Sequence, residues 1–158
     1  MKTNYLFSHR FKKTGWALFG LGVLLGFFAL FVNETPSFFD LKVFAISSDG
    51  LFESEDTFRI IKNNIFNEIV AVLIVIGGIL AAFSKEKNED EFIAKIRLES
   101  LVWAVYVNYG VLLFAVLFIY EFSFFSVMIF NMFTVLIFFL IRYNWMLRKL
   151  KRMTLDEK

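Results

Sequence analysis

The sequence contains no cysteine, a single proline and a single histidine. Without cysteine there is no disulfide framework, and the redox state of the compartment leaves no mark on the chain. A lone His9, with neither thiols nor a second imidazole, does not make a usual zinc site. Two catalytic signatures are also missing: a Gly-rich phosphate loop ending in Lys-Ser/Thr, and a Gly-x-Ser-x-Gly nucleophile turn. Charge is absent from four long apolar blocks, 15–32, 69–83, 101–120 and 122–141. Ionisable groups inside a membrane mark ion paths, proton relays and catalytic groups. Their lack weakens the pump, transporter and intramembrane-protease readings together. No enzyme activity, no cofactor and no metal are expected.

What is present is mostly apolar. Of the 158 residues 58% are hydrophobic and 20% aromatic, with 23 Phe, whereas a soluble domain averages about 45–50% apolar. A soluble helix keeps one face wet, so uncharged runs of this length are foreign to it. A helix crossing the ~30 Å hydrocarbon core needs about 20 apolar residues. The blocks lack the alternation of barrel strands. The expected fold class is therefore all-α: a polytopic membrane protein, one four-helix transmembrane bundle over 1–158. Its spans are 15–32, 65–83, 101–120 and 122–141. They leave an outer loop 33–64, an inner loop 84–100 and a basic tail 142–158. Block one has the basic flank of a signal peptide, but its apolar run is long and no small-x-small site follows Val32, so it reads as an uncleaved span.

Basic residues set the orientation. With the N-terminus inside, the inner segments hold 14 of the 17 Lys and Arg, and the outer loop holds Lys42, Arg59 and Lys62. The positive-inside rule then places both termini in the cytoplasm of a cell's inner membrane. Trp16, Trp103 and Trp145 fall at the cytoplasmic ends of three spans, where an indole finds both an apolar and a wet side. The abundance of Phe, Ile, Lys and Asn suits an AT-rich bacterial genome.

The extramembrane pieces are small. In the outer loop Leu41 to Ile46 suits a short strand or an interfacial stretch, and Ser47-Ser48-Asp49-Gly50 a turn. Phe58, Ile61, Ile65 and Ile69 share helical spacing, which predicts an amphipathic segment feeding span two. The whole loop reads as a cap on the outer headgroups rather than a binding site. In the inner loop Asn88 is the expected N-cap of a helix starting near Glu89, with Glu89, Asp90 and Glu91 in a first turn that favours anions. Helix-start chemistry accounts for that carboxylate trio better than a metal does.

Within the spans, small and polar residues carry the information. Gly15, Gly22, Gly26 and Ala29 form one stripe and Ala71, Gly78 and Ala82 another. Close backbone approach lets dispersion act between helices in lipid, so Gly22, Gly26 and Gly78 are expected at helix contacts. A self-dimerising face on span one is the alternative use of its stripe. Spans three and four share a tight turn near Glu121, and counting from it sets Asn108 opposite Thr134, with Asn131 near mid-membrane. These three read as cross-helix polar glue. Tyr106 and Tyr109 lie on another face and suit a neighbouring helix or a shallow pocket. The bases of the tail suit anionic lipid; nucleic acid is not an expected partner, since no recognition fold accompanies them.

The stretch Asp90-Glu91-Phe92-Ile93-Ala94-Lys95-Ile96-Arg97 resembles the cytoplasmic loop of small four-helix bacterial membrane proteins of unknown function, which carry an Asp-Glu-x-Ile-x-x-Ile/Leu-Arg segment before their third helix. The resemblance covers some ten residues and the topology. It implies no defined activity and singles out Asp90, Glu91 and Arg97. The expected function is non-enzymatic: an accessory or signalling component offering its charged loop and tail to a cytoplasmic or membrane protein partner. A transporter or channel subunit, built as a homo-oligomer around Asn108, Tyr109 and Asn131, is the second expectation.

Overall fold

The computed structural model of the chain describes residues 5–31, 37–48 and 56–156. Along them run helix α1 (Arg10–Phe31), a single 3-10 turn (Ser37–Phe39), strands β1 (Asp40–Ser48) and β2 (Asp56–Asn64), and helices α2 (Phe66–Phe83), α3 (Glu91–Phe118) and α4 (Glu121–Asp156). The protein is mostly helical. Phe66–Phe83, Glu91–Phe118 and Glu121–Met153 are long and apolar enough to cross a membrane, which marks the chain as a membrane protein. Only 11% of the most apolar stretch of α4 is buried within the chain. Phe122, Phe125, Met128, Ile129, Phe130 and Met132 stand exposed on it, as contact with lipid tails requires.

α1 and α2 lie antiparallel and in contact along their length because glycine lets their backbones touch. A Cβ on Gly15 would stand 2.5 Å from the Ala81 amide nitrogen, and one on Gly22 2.9 Å from that of Ile74. Gly26 rests against Val70 further along. The stripe on α1 is thus spent on α2, which corrects the alternative of a self-dimerising face there. Gly78 also lies at a helix contact, between Leu136 of α4 and the Phe19 ring of α1. The closest approach belongs to Gly77, outside the expected stripe, where a Cβ would strike the backbone of Phe19.

α3 and α4 form an antiparallel hairpin through Ile119 and Tyr120. Glu121 opens α4 with φ 57°, a left-handed residue that reverses the chain. α2 joins the two helical pairs. Its Phe83 ring stacks on Phe139 at 5.6 Å, and Phe139 stacks on Tyr143 at the same distance. Around this column Ala81, Ala82, Ile93, Ile96, Ala104, Leu140 and Leu147 form the buried core. That core sits at the end of the bundle carrying the α2–α3 loop, called here the charged end.

The opposite end departs from an all-α fold. β1 and β2 pair antiparallel, with Val43 opposite Ile61 and Phe44 opposite Ile60. The residues after Thr57 are therefore a strand, not the expected amphipathic helix. Helical spacing of Phe58, Ile61 and Ile65 loses to pairing, because two stretches rich in β-branched and aromatic residues satisfy each other's backbone groups. Asn64 donates to Asp40 across the hairpin at 2.8 Å, and the hairpin is tied to the start of α2 where the Phe66 amide donates to Asn64 at 3.2 Å and the Ile65 amide donates to the Phe39 carbonyl at 3.1 Å. The expected turn falls partly outside the described residues; Ser47 and Ser48 end β1, and Asp49 and Gly50 lie beyond them. Helix α3 begins two residues later than expected. Asp90, not Asn88, is its N-cap, accepting from the Ile93 amide at 2.7 Å.

Candidate functional site

The charged end gathers side chains from four separate segments. Arg97 lies on the first turns of α3, on the face that also buries Ile93, Ser100 and Ala104. That face packs on α4, so the guanidinium is only 7% exposed. A buried guanidinium needs partners, and the loop supplies them. Glu89 accepts from Nη1 at 2.6 Å and from Nη2 at 3.1 Å, a two-pronged pair. The Tyr143 hydroxyl, from α4, accepts from Nη2 at 2.9 Å and donates to Glu86 at 3.2 Å. Glu86 in turn accepts from Lys12 of α1. Two cations and two carboxylates thus close a neutral chain: Lys12, Glu86, Tyr143, Arg97, Glu89.

The backbone holds the same segments together. Phe7 pairs with Ser84 as a parallel bridge; its amide donates to the Phe83 carbonyl and its carbonyl accepts from the Lys85 amide, both at 2.9 Å. His9 Nδ1 donates to the Lys85 carbonyl at 3.0 Å. Ser84 is fully buried and donates back to the Leu80 carbonyl. The Glu86 amide donates to Glu89 at 2.7 Å, which fixes the loop around its own carboxylate. Partial burial raises the Glu89 carboxyl, but the Arg97 hydrogen bonds and the Glu86 amide outweigh it, so the group titrates below its ordinary range.

The residues singled out from the sequence fall in three places. Asp90 is spent on capping α3 and Glu91 stands exposed in its first turn. Arg97 is turned inward, against the expectation of a side chain offered to a partner; helix burial and the Glu89 pair account for that. Asn108, Asn131 and Thr134 come together between α3 and α4. The two amides exchange hydrogen bonds at 3.4 and 3.2 Å, and the Thr134 hydroxyl donates to Asn108. Asn108 is 3% exposed. Each of these polar groups is occupied by another. Gly22, Gly26 and Gly78 sit at helix contacts as described above.

Sequence reading missed Tyr143, Glu86 and Lys12. A tyrosine among bases looks like an interface anchor. One signal pointed inward: Phe139, Tyr143, Leu147 and Leu150 continue an apolar face four residues at a time past the end of the span. On the other side of α4, Trp145, Arg148, Lys149 and Arg152 make an exposed basic face. The Arg142 guanidinium lies over the Trp103 ring at 4.8 Å, so both sit at one level of the bundle. At the hairpin end an apolar groove of about 560 Å³ opens between β1, β2 and the start of α2, lined by Val43, Phe44, Ile61, Ile65 and Ile69 among others.

Comparison with known families, characterised proteins and solved structures finds no match to this chain.

Proposed function

We propose that the protein is a non-enzymatic accessory or signalling component of a bacterial inner membrane, crossing it four times with both termini in the cytoplasm. α1 completes the fourth crossing in this reading. It lies against α2 from Gly15–Ala81 at one end to Gly26–Val70 at the other, so a bilayer around α2 also surrounds α1. Fourteen bases then fall inside and three outside.

One observation carries the functional reading. α4 is a single helix of 36 residues, about 54 Å long, against a hydrocarbon core of about 30 Å. Its last turns therefore extend past the membrane, held to the bundle by Tyr143 and Leu147, with Arg148, Lys149 and Arg152 exposed on one side. A rigid basic projection is a docking element for an acidic partner. Arg97 supports this element through Tyr143, and Asp90 caps α3. The mutual hydrogen bonds of Asn108, Asn131 and Thr134 favour packing over a conduction path.

Affinity capture from membranes in mild detergent tests the reading, comparing the wild type with the triple variant R148E/K149E/R152E and with N131L. The proposal requires a co-purifying acidic protein that the triple variant loses and N131L keeps. Identical captures from all three would contradict it.

A further inference from the structure

The outward face of α3 carries a charged pair at its start and two tyrosines among the apolar side chains that lipid contact accounts for. Starting at Lys95 and stepping by four and three residues, the helix presents Lys95, Glu99, Val102, Tyr106, Tyr109 and Leu113 along one side. All six are exposed, Tyr106 at 74% and Tyr109 at 59%. Alternating steps of three and four make the seam of a left-handed helix pair, the commonest packing of membrane helices. Gly110, beside Tyr109, has nothing within 4 Å of where a Cβ would stand.

Depth makes the tyrosines informative. Tyr109 lies nine residues beyond Ser100, about 13 Å along the helix and so near the middle of the hydrocarbon. Helical side chains lean toward the N-terminus, here toward the charged end, yet a phenol is too short to reach the headgroups from that depth. Among the described residues neither Tyr106 nor Tyr109 has a hydrogen-bond partner within the chain. A hydroxyl left bare in hydrocarbon is costly, so this face fits a partner that offers hydroxyls or amides, not lipid tails.

We infer that the partner is a second copy of this chain, packed α3 against α3 as a parallel pair. Copies inserted by the same topology are parallel whichever way they face, and a twofold axis along the membrane normal brings each seam residue against its own counterpart. The seam is complementary to itself under that operation. A phenol both donates and accepts, so Tyr109 satisfies Tyr109 of the other copy. Lys95 and Glu99 are long and one turn apart, so the Lys95 side chain of each copy reaches along the seam to Glu99 of the other, twice over. Within one chain that pair stands at a loose 3.9 Å. The outward face of α4, with Phe125, Ile129 and Phe130, carries no such polar pattern and remains for lipid.

Absence of cysteine makes the test clean. Single cysteines at V102C, Y109C and L113C, oxidised in native membranes, should give disulfide dimers of twice the chain mass; I129C and F130C should not. In the V102C background, K95E or E99K alone should lower the dimer yield roughly fivefold, and K95E/E99K together should restore it. Three results would each overturn the inference: no dimer at the α3 positions, equal dimer at the α4 positions, or a double charge swap no better than the singles. An adduct of a different mass at Y109C would assign the face to another protein and overturn it equally.

Discussion

Arg97 and Glu89 meet through two parallel hydrogen bonds, 2.6 and 3.1 Å long, although one stands on a helix and the other in the loop before it. Through Tyr143 the pair is linked to Glu86 and Lys12. Breaking a buried ion pair leaves one charge stranded, at a cost of about 3–5 kcal/mol. Glu89 keeps 21% of its side chain exposed, so E89Q should destabilise by the lower end of that range. Thermal unfolding in detergent at neutral pH measures it.

The same carboxylate predicts a pH dependence. Glu89 titrates below its ordinary value of 4.5 when folded, so its charge is favoured by the folded state. Its contribution is therefore complete above about pH 4.5 and is lost as pH falls through the lower folded value. The stability gap between wild type and E89Q should stay constant from neutral to mildly acidic pH and shrink below about 4.5. A gap that widens with acid would refute the assignment.

Tyr143 joins the Arg97 guanidinium to the Glu86 carboxylate through one hydroxyl. Y143F keeps the ring stack on Phe139 but leaves Arg97 and Glu86 each one partner short, which should cost about 1–3 kcal/mol. Y143A also removes the ring and should cost more, about 3–5 kcal/mol. Equal stability of Y143F and wild type would show that the network does not hold the charged end.

Much of this is legible in the sequence. Asn108 could be set opposite Thr134 because a two-residue turn leaves antiparallel helices only one register. The glycines of α1 could be assigned to a helix contact because lipid supplies no other use for them. Two things were hidden. The hairpin was obscured because Phe58, Ile61 and Ile65 fit a helical period as well as a strand, and the paired positions of its two strands lie eight to twenty-four residues apart. The Arg97 network was obscured because its members come from positions 12, 86, 89, 97 and 143, and no local pattern links them. Gly77 escaped for a simpler reason: the choice between adjacent glycines depends on helix rotation, which composition does not specify.

Gly77 provides a direct test of the α1–α2 contact. G77A places a methyl against the Phe19 backbone, which cannot yield as a side chain does. The expected loss is about 1–3 kcal/mol, read as a lower unfolding temperature in detergent. G20A, with nothing within 4 Å of its Cβ, should change nothing.

For the polar triad the expected cost is smaller. N108L removes cross-helix bonds worth on the order of 0.6 kcal/mol, up to about 2. N108L membranes should retain partner capture. Loss of a measurable solute flux on the same change would instead favour the transporter reading.

The central claim is that four helices thread the bilayer and leave the hairpin on one side and the charged end on the other. Single cysteines at Y5C, K42C, K87C and K149C, probed in right-side-out vesicles with a membrane-impermeant maleimide, test it most directly. The account predicts immediate labelling of K42C alone, with Y5C, K87C and K149C reacting only after the vesicles are opened. Labelling of Y5C together with K42C from outside would mean that α1 does not cross, and labelling of K42C and K87C from one side would contradict the whole arrangement.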